Sequence, residues 1–196
     1  AIYFYSGQLR FAGWSGSYRA TERTFRDPSS WYHIIVAVDS TLGTADNRQK
    51  IYVNGVEETN FSSSNNLGQN DTFGISNNSA AIRVGRDNDA SSSRRFDGYM
   101  AEVNFIDGQQ LDASHFGYFE SQTNIWRPKR YTGTYGDNGF NLDFSDSTSE
   151  ATMGIDRSPN GNDYTGGNLG LSAGEGMDSF TTHTPTSENE FAQFNV

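Results

Sequence analysis

Apolar and polar residues alternate with a period of two through most of this chain's apolar stretches, and no stretch carries the repeat of a long amphipathic helix. Successive side chains of a strand point to opposite faces, so the pattern commits the chain to sheets. Ile2 and Phe4 alternate with Tyr3 and Tyr5, Ser6-Gly7 marks a turn, and Leu9 and Phe11 follow with Arg10 between them, which predicts a hairpin. Trp31 to Val38 is a β-branched run too short for a typical helix, and Gln49 to Val56 puts Ile51 and Val53 on one face before Asn54-Gly55. Asn-Gly is the strongest short hairpin signal, and Trp31–Val38 and Lys50–Val56 are predicted to lie antiparallel. Further strands are expected at Thr72–Ile75, Ala81–Gly85, Phe96–Ile106 and Gly139–Phe144. The polar stretches Asp39–Arg48, Asn60–Asn78 and Arg86–Arg95 read as loops, Leu111–Phe116 as a single helical turn starting near Asp112 or Ser114, and Trp126–Lys129 with Tyr131 as a connector.

Only 34% of the chain is hydrophobic, but 14 Phe, 10 Tyr and 3 Trp supply large rings that bury much area per residue. The 21 Gly suit a fold with many tight turns. A formal charge of -10, from 14 basic and 24 acidic residues, argues against binding nucleic acid or an anionic membrane. Without cysteine there is neither a disulfide framework nor a thiolate metal site, and no apolar run approaches a membrane span. The chain opens Ala1-Ile2-Tyr3, without Met or a signal-peptide pattern, as though inside a strand; a trimmed, processed or missing start is expected. From Ser145 onward Gly, Asn, Ser, Thr and Asp dominate, with Met153, Ile155, Tyr164, Leu169, Leu171 and Phe180 as the few apolar anchors. Residues 1–144 are therefore expected to form the folded domain. Residues 145–196 are expected to be an irregular extension that drapes over the domain, docks on a neighbour or stays partly loose.

Several of these segments carry a resemblance. Trp31-Tyr32-His33-Ile34-Ile35-Val36-Ala37-Val38 followed by Ile51-Tyr52-Val53-Asn54-Gly55 resembles the Trp-x-His-apolar strand and hairpin of laminin-G-like, concanavalin A-like domains. Phe96-Asp97-Gly98-Tyr99-Met100-Ala101-Glu102-Val103 is similar to a second hallmark of that family, and Asp107 to Leu111 to the bend that closes it. The resemblance implies an all-β, antiparallel two-sheet jelly-roll sandwich with the irregular C-terminal extension. It also implies strands before the position of Ile2, so an edge would be completed by another chain or by the extension. Tyr131-Thr132-Gly133-Thr134-Tyr135-Gly136, Asn138 to Phe144, Asn160 to Tyr164 and Asp178 to Thr186 are similar to segments of marine bacteriophage (cyanophage-type) virion proteins.

Laminarinase-type hydrolases of this fold set carboxylates in a Glu-x-Asp-x-x-Glu run, which aims them into one cleft. The nearest run here, Glu102 to Asp107, puts its two acids on opposite faces by strand parity, and Glu57-Glu58 sits at a hairpin end. His33, His115 and His183 stand in unrelated contexts without a nucleophile elbow, and His33 reads as a packed strand histidine. No catalytic residues are assigned. Calcium is left open as a cofactor: Asp39, Asp46, Asp87, Asp89 and Asp97 are loop acids, with Asp87 and Asp89 the candidate ligands, and solvated turns explain them as well. For carbohydrate, Trp14, Tyr18, Asn65, Asn66, Asn88 and Arg94 are candidates by loop position. Trp14, flanked by Gly13 and Ser15-Gly16, either stacks on a sugar or packs under the extension or a neighbouring subunit. Trp31 and Trp126 read as packing residues, and the Asn-x-Ser/Thr triplets at Asn60, Asn70 and Asn77 as chance matches.

These readings predict a non-enzymatic structural protein on a virion surface or otherwise extracellular, such as a fibre or decoration component that meets host-surface glycans. Expected partners are further copies of itself and other virion proteins, with neither nucleic acid nor membrane insertion. The alternatives are a calcium-dependent carbohydrate-binding adhesion lectin outside a virus and, behind it, a glycoside hydrolase.

Overall fold

The computed structural model describes residues 1–13, 16–72, 82–86, 96, 98–146 and 148–165. Two Asx/Ser-Gly pairs set the first hairpins. Ser6 and Gly7 take φ of 51° and 77°, and Asn54 and Gly55 take 50° and 80°. Positive φ at both central residues is the type I′ geometry, whose twist matches that of the flanking strands. Ser6-Gly7 joins β1 (Ile2–Tyr5) to β2 (Gln8–Ala12), and Asn54-Gly55 joins β5 (Gln49–Val53) to β6 (Val56–Glu57).

With β3 (Tyr18–Thr21) and β7 (Phe61–Asn65), the first hairpin forms an antiparallel sheet in the order β1-β2-β3-β7. Tyr3 lies opposite Arg10, Arg10 opposite Ala20, and Tyr18 opposite both Ala12 and Asn65. Cross-strand partners share a face, so Tyr3, Tyr5, Gln8, Arg10, Ala12, Tyr18 and Asn65 line one side. Leu9, Phe11, Arg19 and Thr21 line the other and are all buried. The Leu9 N–H donates to Thr21 Oγ1 at 3.2 Å. Arg19 is held inside by Asp46 O at 3.2 Å, Asn66 Oδ1 at 2.9 Å and the Phe61 ring 4.8 Å below its guanidinium. Arg48 clamps the neighbouring loops by donating to the carbonyls of Leu42, Gly43 and Leu67.

A second sheet runs β4 (Ile34–Val38), β5, β6. Asp39 N–H donates to Arg48 O, and Asn54 N–H to His33 O. Residue numbers that sum to a constant along the ladder make this pair antiparallel, as the sequence predicted. The chain divides into two compact units. One comprises Ala1–Ser29, Val36–Tyr52 and Val56–Gly98; the other Ser30–Ile35, Val53–Gly55 and the described part of Tyr99–Val196.

The second unit holds two small antiparallel ladders, β8 (Val103–Phe105) with β11 (Phe140–Leu142) and β9 (Gly117–Phe119) with β10 (Trp126–Pro128). A 3-10 turn at Ala113–His115 is capped by Asp112, whose side chain accepts from Ser114 N, inside the expected helical turn. Beyond β11, a one-turn helix α1 (Glu150–Met153) closes with a capping box between Ser149 and Thr152. The following segment is tied to the β11 approach by amides. Asn160 Nδ2 donates to Gly136 O and Gly139 O, and Asn162 Nδ2 to Asp137 O and Gly139 O.

The structure corrects several sequence boundaries. The strand expected over Phe96–Ile106 is confined to Val103–Phe105, because Glu102 takes φ 52° and breaks the extended run. Within the described part of Ala81–Gly85, residues 82–85 are not a strand. Trp126–Pro128 is a paired strand and not a connector. Phe61–Asn65, read as loop, pairs with β3; its Ser-rich sequence hides the alternation because its side chains are largely exposed. The strand expected at Thr72–Ile75 lies outside the described residues apart from Thr72.

A Cβ on Gly55 would sit 2.1 Å from Trp126 Cε3, at a φ that L-residues disfavour. Gly55→Ala is expected to cost about 2–5 kcal/mol in urea unfolding. Gly43→Ala, with nothing within 4 Å of the added carbon, should stay within about 0.5 kcal/mol of the parent.

Candidate functional site

The open face of the β1-β2-β3-β7 sheet is the most site-like surface among the described residues. Arg10, on the second strand, lies diagonally between Tyr5 on the first and Tyr18 on the third. Its guanidinium carbon stands 4.4 Å from the Tyr5 ring centroid and 5.8 Å from that of Tyr18. One Arg10 nitrogen donates to Gln8 Oε1 at 3.0 Å, while Gln8 Nε2 reaches Thr21 O and Ser62 Oγ. Among the described residues no carboxylate lies within ion-pair distance of Arg10, and its Nε is buried without a hydrogen-bond partner. Tyr5 is 59% exposed and Tyr3 39%. The result is a cation wedged between two rings, with one terminal nitrogen bonded to Gln8, beside a further exposed ring. Such a surface can stack on the C–H face of a flat ligand while the guanidinium meets its oxygens.

The structure brings Tyr18 and Asn65 together as register partners on this face, with Asn65 Nδ2 donating to Gly16 O at 2.9 Å. Asn66 is turned away: its Oδ1 accepts from Arg19 and its Nδ2 donates to Asp46 Oδ1 at 2.8 Å. Trp14, Asn88, Arg94 and the metal candidates Asp87 and Asp89 lie outside the described residues, as does Asp97. Tyr3, Tyr5, Gln8 and Arg10 were not singled out in the sequence as binding residues. The signal was there: rings on the polar side of an alternating hairpin, with an arginine between them on that same side.

The acids have local occupations. Asp27, Asp39, Asp112, Asp143, Asp146 and Asp156 each stand two residues before a Ser or Thr and accept its backbone N–H and its hydroxyl. These are side-chain-capped turns. The bonds from Thr41 hold Asp39 below the ordinary carboxylate range, and those from Thr148 do the same for Asp146. Asp156, buried, also accepts from Asn141 N at 2.7 Å and Asn162 N at 2.8 Å. Burial alone would raise its pKa, but these bonds outweigh it and the carboxyl ends below its usual value. Behind it Asn104 Oδ1 accepts from Tyr135 OH and Asn141 Nδ2, a satisfied polar core. Glu102, at its margin, is pushed up by desolvation, with Asn104 and Arg130 working the other way. Among the described residues no three His, Cys, Asp or Glu side chains are grouped to hold a metal ion, and no helix is long and apolar enough to cross a membrane.

His33 is buried and bonded as a packing residue. Its Nδ1 accepts the Trp126 indole N–H at 2.8 Å, and its backbone N–H donates to Asn54 Oδ1 at 2.7 Å. The indole can only donate, so Nδ1 is unprotonated and the ring is neutral with its hydrogen on Nε2. Burial depresses its pKa to about 4.

A family model described as the concanavalin A-like lectin/glucanases superfamily (Laminin_G_3) matches residues 2–114, more than half of the chain. None of the curated proteins and none of the solved structures compared with the chain matches it.

The neutral histidine has a pH consequence. Its folded pKa, about 4, lies below the ordinary 6.5, so unfolding takes up a proton between those values. This contribution is complete above pH 6.5 and is lost as pH falls toward 4, about 3 kcal/mol in all. In urea unfolding followed across that window, His33→Gln is expected to remove that part of the pH dependence while the carboxylate-driven part persists.

Proposed function

Because the chain belongs to the concanavalin A-like lectin/glucanases superfamily, a carbohydrate-binding type of fold, we propose that it works by surface contact with glycans and not by catalysis. The observation that carries this reading is the Arg10 guanidinium held between Tyr5 and Tyr18 on an exposed sheet face. Ring faces of this kind stack on sugar C–H surfaces, and the guanidinium supplies donors for hydroxyl oxygens. One such platform gives a weak contact. Many copies on one particle turn weak contacts into avidity, provided their geometry allows simultaneous engagement.

The setting we propose is the surface of a bacteriophage particle, as a fibre or decoration component beside other virion proteins. The support is the resemblance of the segments 131–144, 160–164 and 178–186 to phage virion proteins. Mass spectrometry of purified particles carrying this chain should detect it in stoichiometric amount; its consistent absence from them would remove the setting.

A glycan array probed with and without a chelator tests the binding. Retention of at least one oligosaccharide class is expected in both conditions, and Tyr5→Ala should weaken it about ten-fold, roughly 1.4 kcal/mol, at an unchanged unfolding midpoint. Binding abolished by chelator would point instead to a calcium-dependent adhesion lectin. No retention of any glycan, or retention indifferent to Tyr5, would overturn the reading.

A further inference from the structure

Asn-Gly occurs three times in the chain, at Asn54-Gly55, Asn138-Gly139 and Asn160-Gly161. The dipeptide is chemically labile, because a glycine without a Cβ lets its amide nitrogen approach the carboxamide carbon before it. The fold treats the three differently. Asn54 is fixed through Oδ1, which accepts the His33 N–H at 2.7 Å, and a Cβ on Gly55 would collide with the Trp126 ring. Asn138 donates to Asp107 Oδ2 twice, from Nδ2 at 2.7 Å and from its backbone N at 3.3 Å, and Gly139 is buried against Tyr135 O. Both glycines belong to packed backbone that has no room to swing. Gly161 is exposed at φ 69°, and among the described residues no heavy atom lies within 4 Å of where its Cβ would stand. Its N–H donates to no described residue, whereas the next one, from Asn162, is bonded to Asp156 Oδ2 at 2.8 Å.

We propose that Asn160-Gly161 is a self-modifying joint, which unties the segment 158–161 from the approach to β11 as the protein ages. The Gly161 amide gives up its proton to hydroxide, and its nitrogen attacks Asn160 Cγ. The new C–N bond closes a succinimide ring as the bond from Cγ to Nδ2 breaks, and Nδ2 takes a proton from water and leaves as ammonia. Water then adds to either ring carbonyl and opens the ring, leaving an aspartyl or isoaspartyl carboxylate at position 160. The nitrogen that leaves is the one that makes the tie: Asn160 Nδ2 donates to Gly136 O at 2.5 Å and to Gly139 O at 2.8 Å. An ionised carboxylate only accepts, so the product sets its oxygens against two carbonyl oxygens with no hydrogen between them. The new charge also stands one hydroxyl away from Asp156, since Ser158 Oγ accepts from Asn160 N and donates to Asp156 Oδ2. On either side the segment stays anchored, by Arg157 N on Asn141 O and by Asn162 Nδ2 on Asp137 O and Gly139 O. The two bonds from Nδ2 restrain the leaving nitrogen while they last. The reaction therefore records how often the tie opens, and whatever pulls the segment away hastens its lasting release.

The full chain, aged at mildly alkaline pH and digested with trypsin, yields Asn54, Asn138 and Asn160 in separate peptides, 51–83, 131–157 and 158–196. Tandem mass spectrometry should find amide-to-acid conversion at position 160 several-fold ahead of positions 138 and 54, with ammonia released and a rate that rises with pH. In urea all three sites are plain Asn-Gly, and their rates should converge. Gly161→Asn keeps the left-handed φ accessible but sets a side chain beside the attacking nitrogen, and should slow conversion at 160 several-fold. Asn160→Asp installs the product in advance. In that variant the Ser158 and Asn162 N–H groups, both bonded to Asp156, should exchange several-fold faster than in the parent, with the β2 amides unchanged. No conversion at 160, equal rates at the three sites in the folded chain, an ordering that survives urea, an unslowed Gly161→Asn, or exchange in Asn160→Asp that matches the parent would each overturn the proposal. The glycan reading is independent of these outcomes, since it is read from Tyr5 on the array.

Discussion

The Trp126 indole needs three things from residues near and far in sequence, and the second unit supplies them. Its N–H requires an acceptor, which His33 Nδ1 provides at 2.8 Å only while the imidazole is neutral. Its flat surface requires backbone without side chains on the approach. Gly55 and Gly117 give that, since a Cβ on either would stand 2.1–2.2 Å from ring carbons. Its edge is closed by Phe119, 5.0 Å away and near perpendicular. The ring thereby gathers the entry to β4, the β5–β6 turn and the β9–β10 ladder. Asn54 locks the first two together by accepting from His33 N while donating its own N–H to His33 O. An indole N–H left unsatisfied in such a place would cost about 1–3 kcal/mol, so the parts hold together as a set.

This explains why the family hallmark takes the form it does here. The histidine of the Trp-x-His strand and the Asn-Gly of the following hairpin lie more than twenty residues apart in sequence, yet they serve one ring. Asn54-Gly55 carries two duties at once. Positive φ at both residues fixes the hairpin, and the missing side chain of Gly55 admits the indole. The sequence showed the first duty, because turn chemistry is local. The second depended on a tryptophan 71 positions further on, in a segment with only three strand residues and a proline among them.

Legibility followed the same division elsewhere. β1, β2, β4 and β5 have side chains that alternate or run β-branched, and their existence and pairing could be read directly. β3 and β7 could not. A buried arginine replaces an apolar residue in one, and three consecutive serines fill the other. Arg19 is tolerated inside because Asn66, Asp46 and the Phe61 ring surround it, partners drawn from two other segments. Of the carbohydrate candidates, Tyr18 and Asn65 were placed side by side because their strands pair, whereas Asn66, one residue on, serves Arg19. Strand parity decides that difference, and it could not be applied to a stretch taken for a loop. The platform's centre, Arg10, was visible only as a polar interruption between Leu9 and Phe11.

The chain's acidity takes on another meaning once its turns are seen. An excess of Asp and Glu invites thoughts of metal or of a carboxylate pair, but six aspartates spend their oxygens on the N–H and hydroxyl two residues ahead. A protein with short strands needs many chain reversals, and Asp-x-Ser/Thr supplies a capped one without calling on distant residues. Each such carboxylate leaves a negative charge at a loop. The large exposed rings of the first hairpin lie instead on a strand without charges, next to a cation that no acid among the described residues neutralises. Charge thus collects where the backbone turns, and aromatic surface collects where the backbone is extended. A ligand that meets the sheet face therefore encounters rings and a guanidinium before it encounters the carboxylates of the turns.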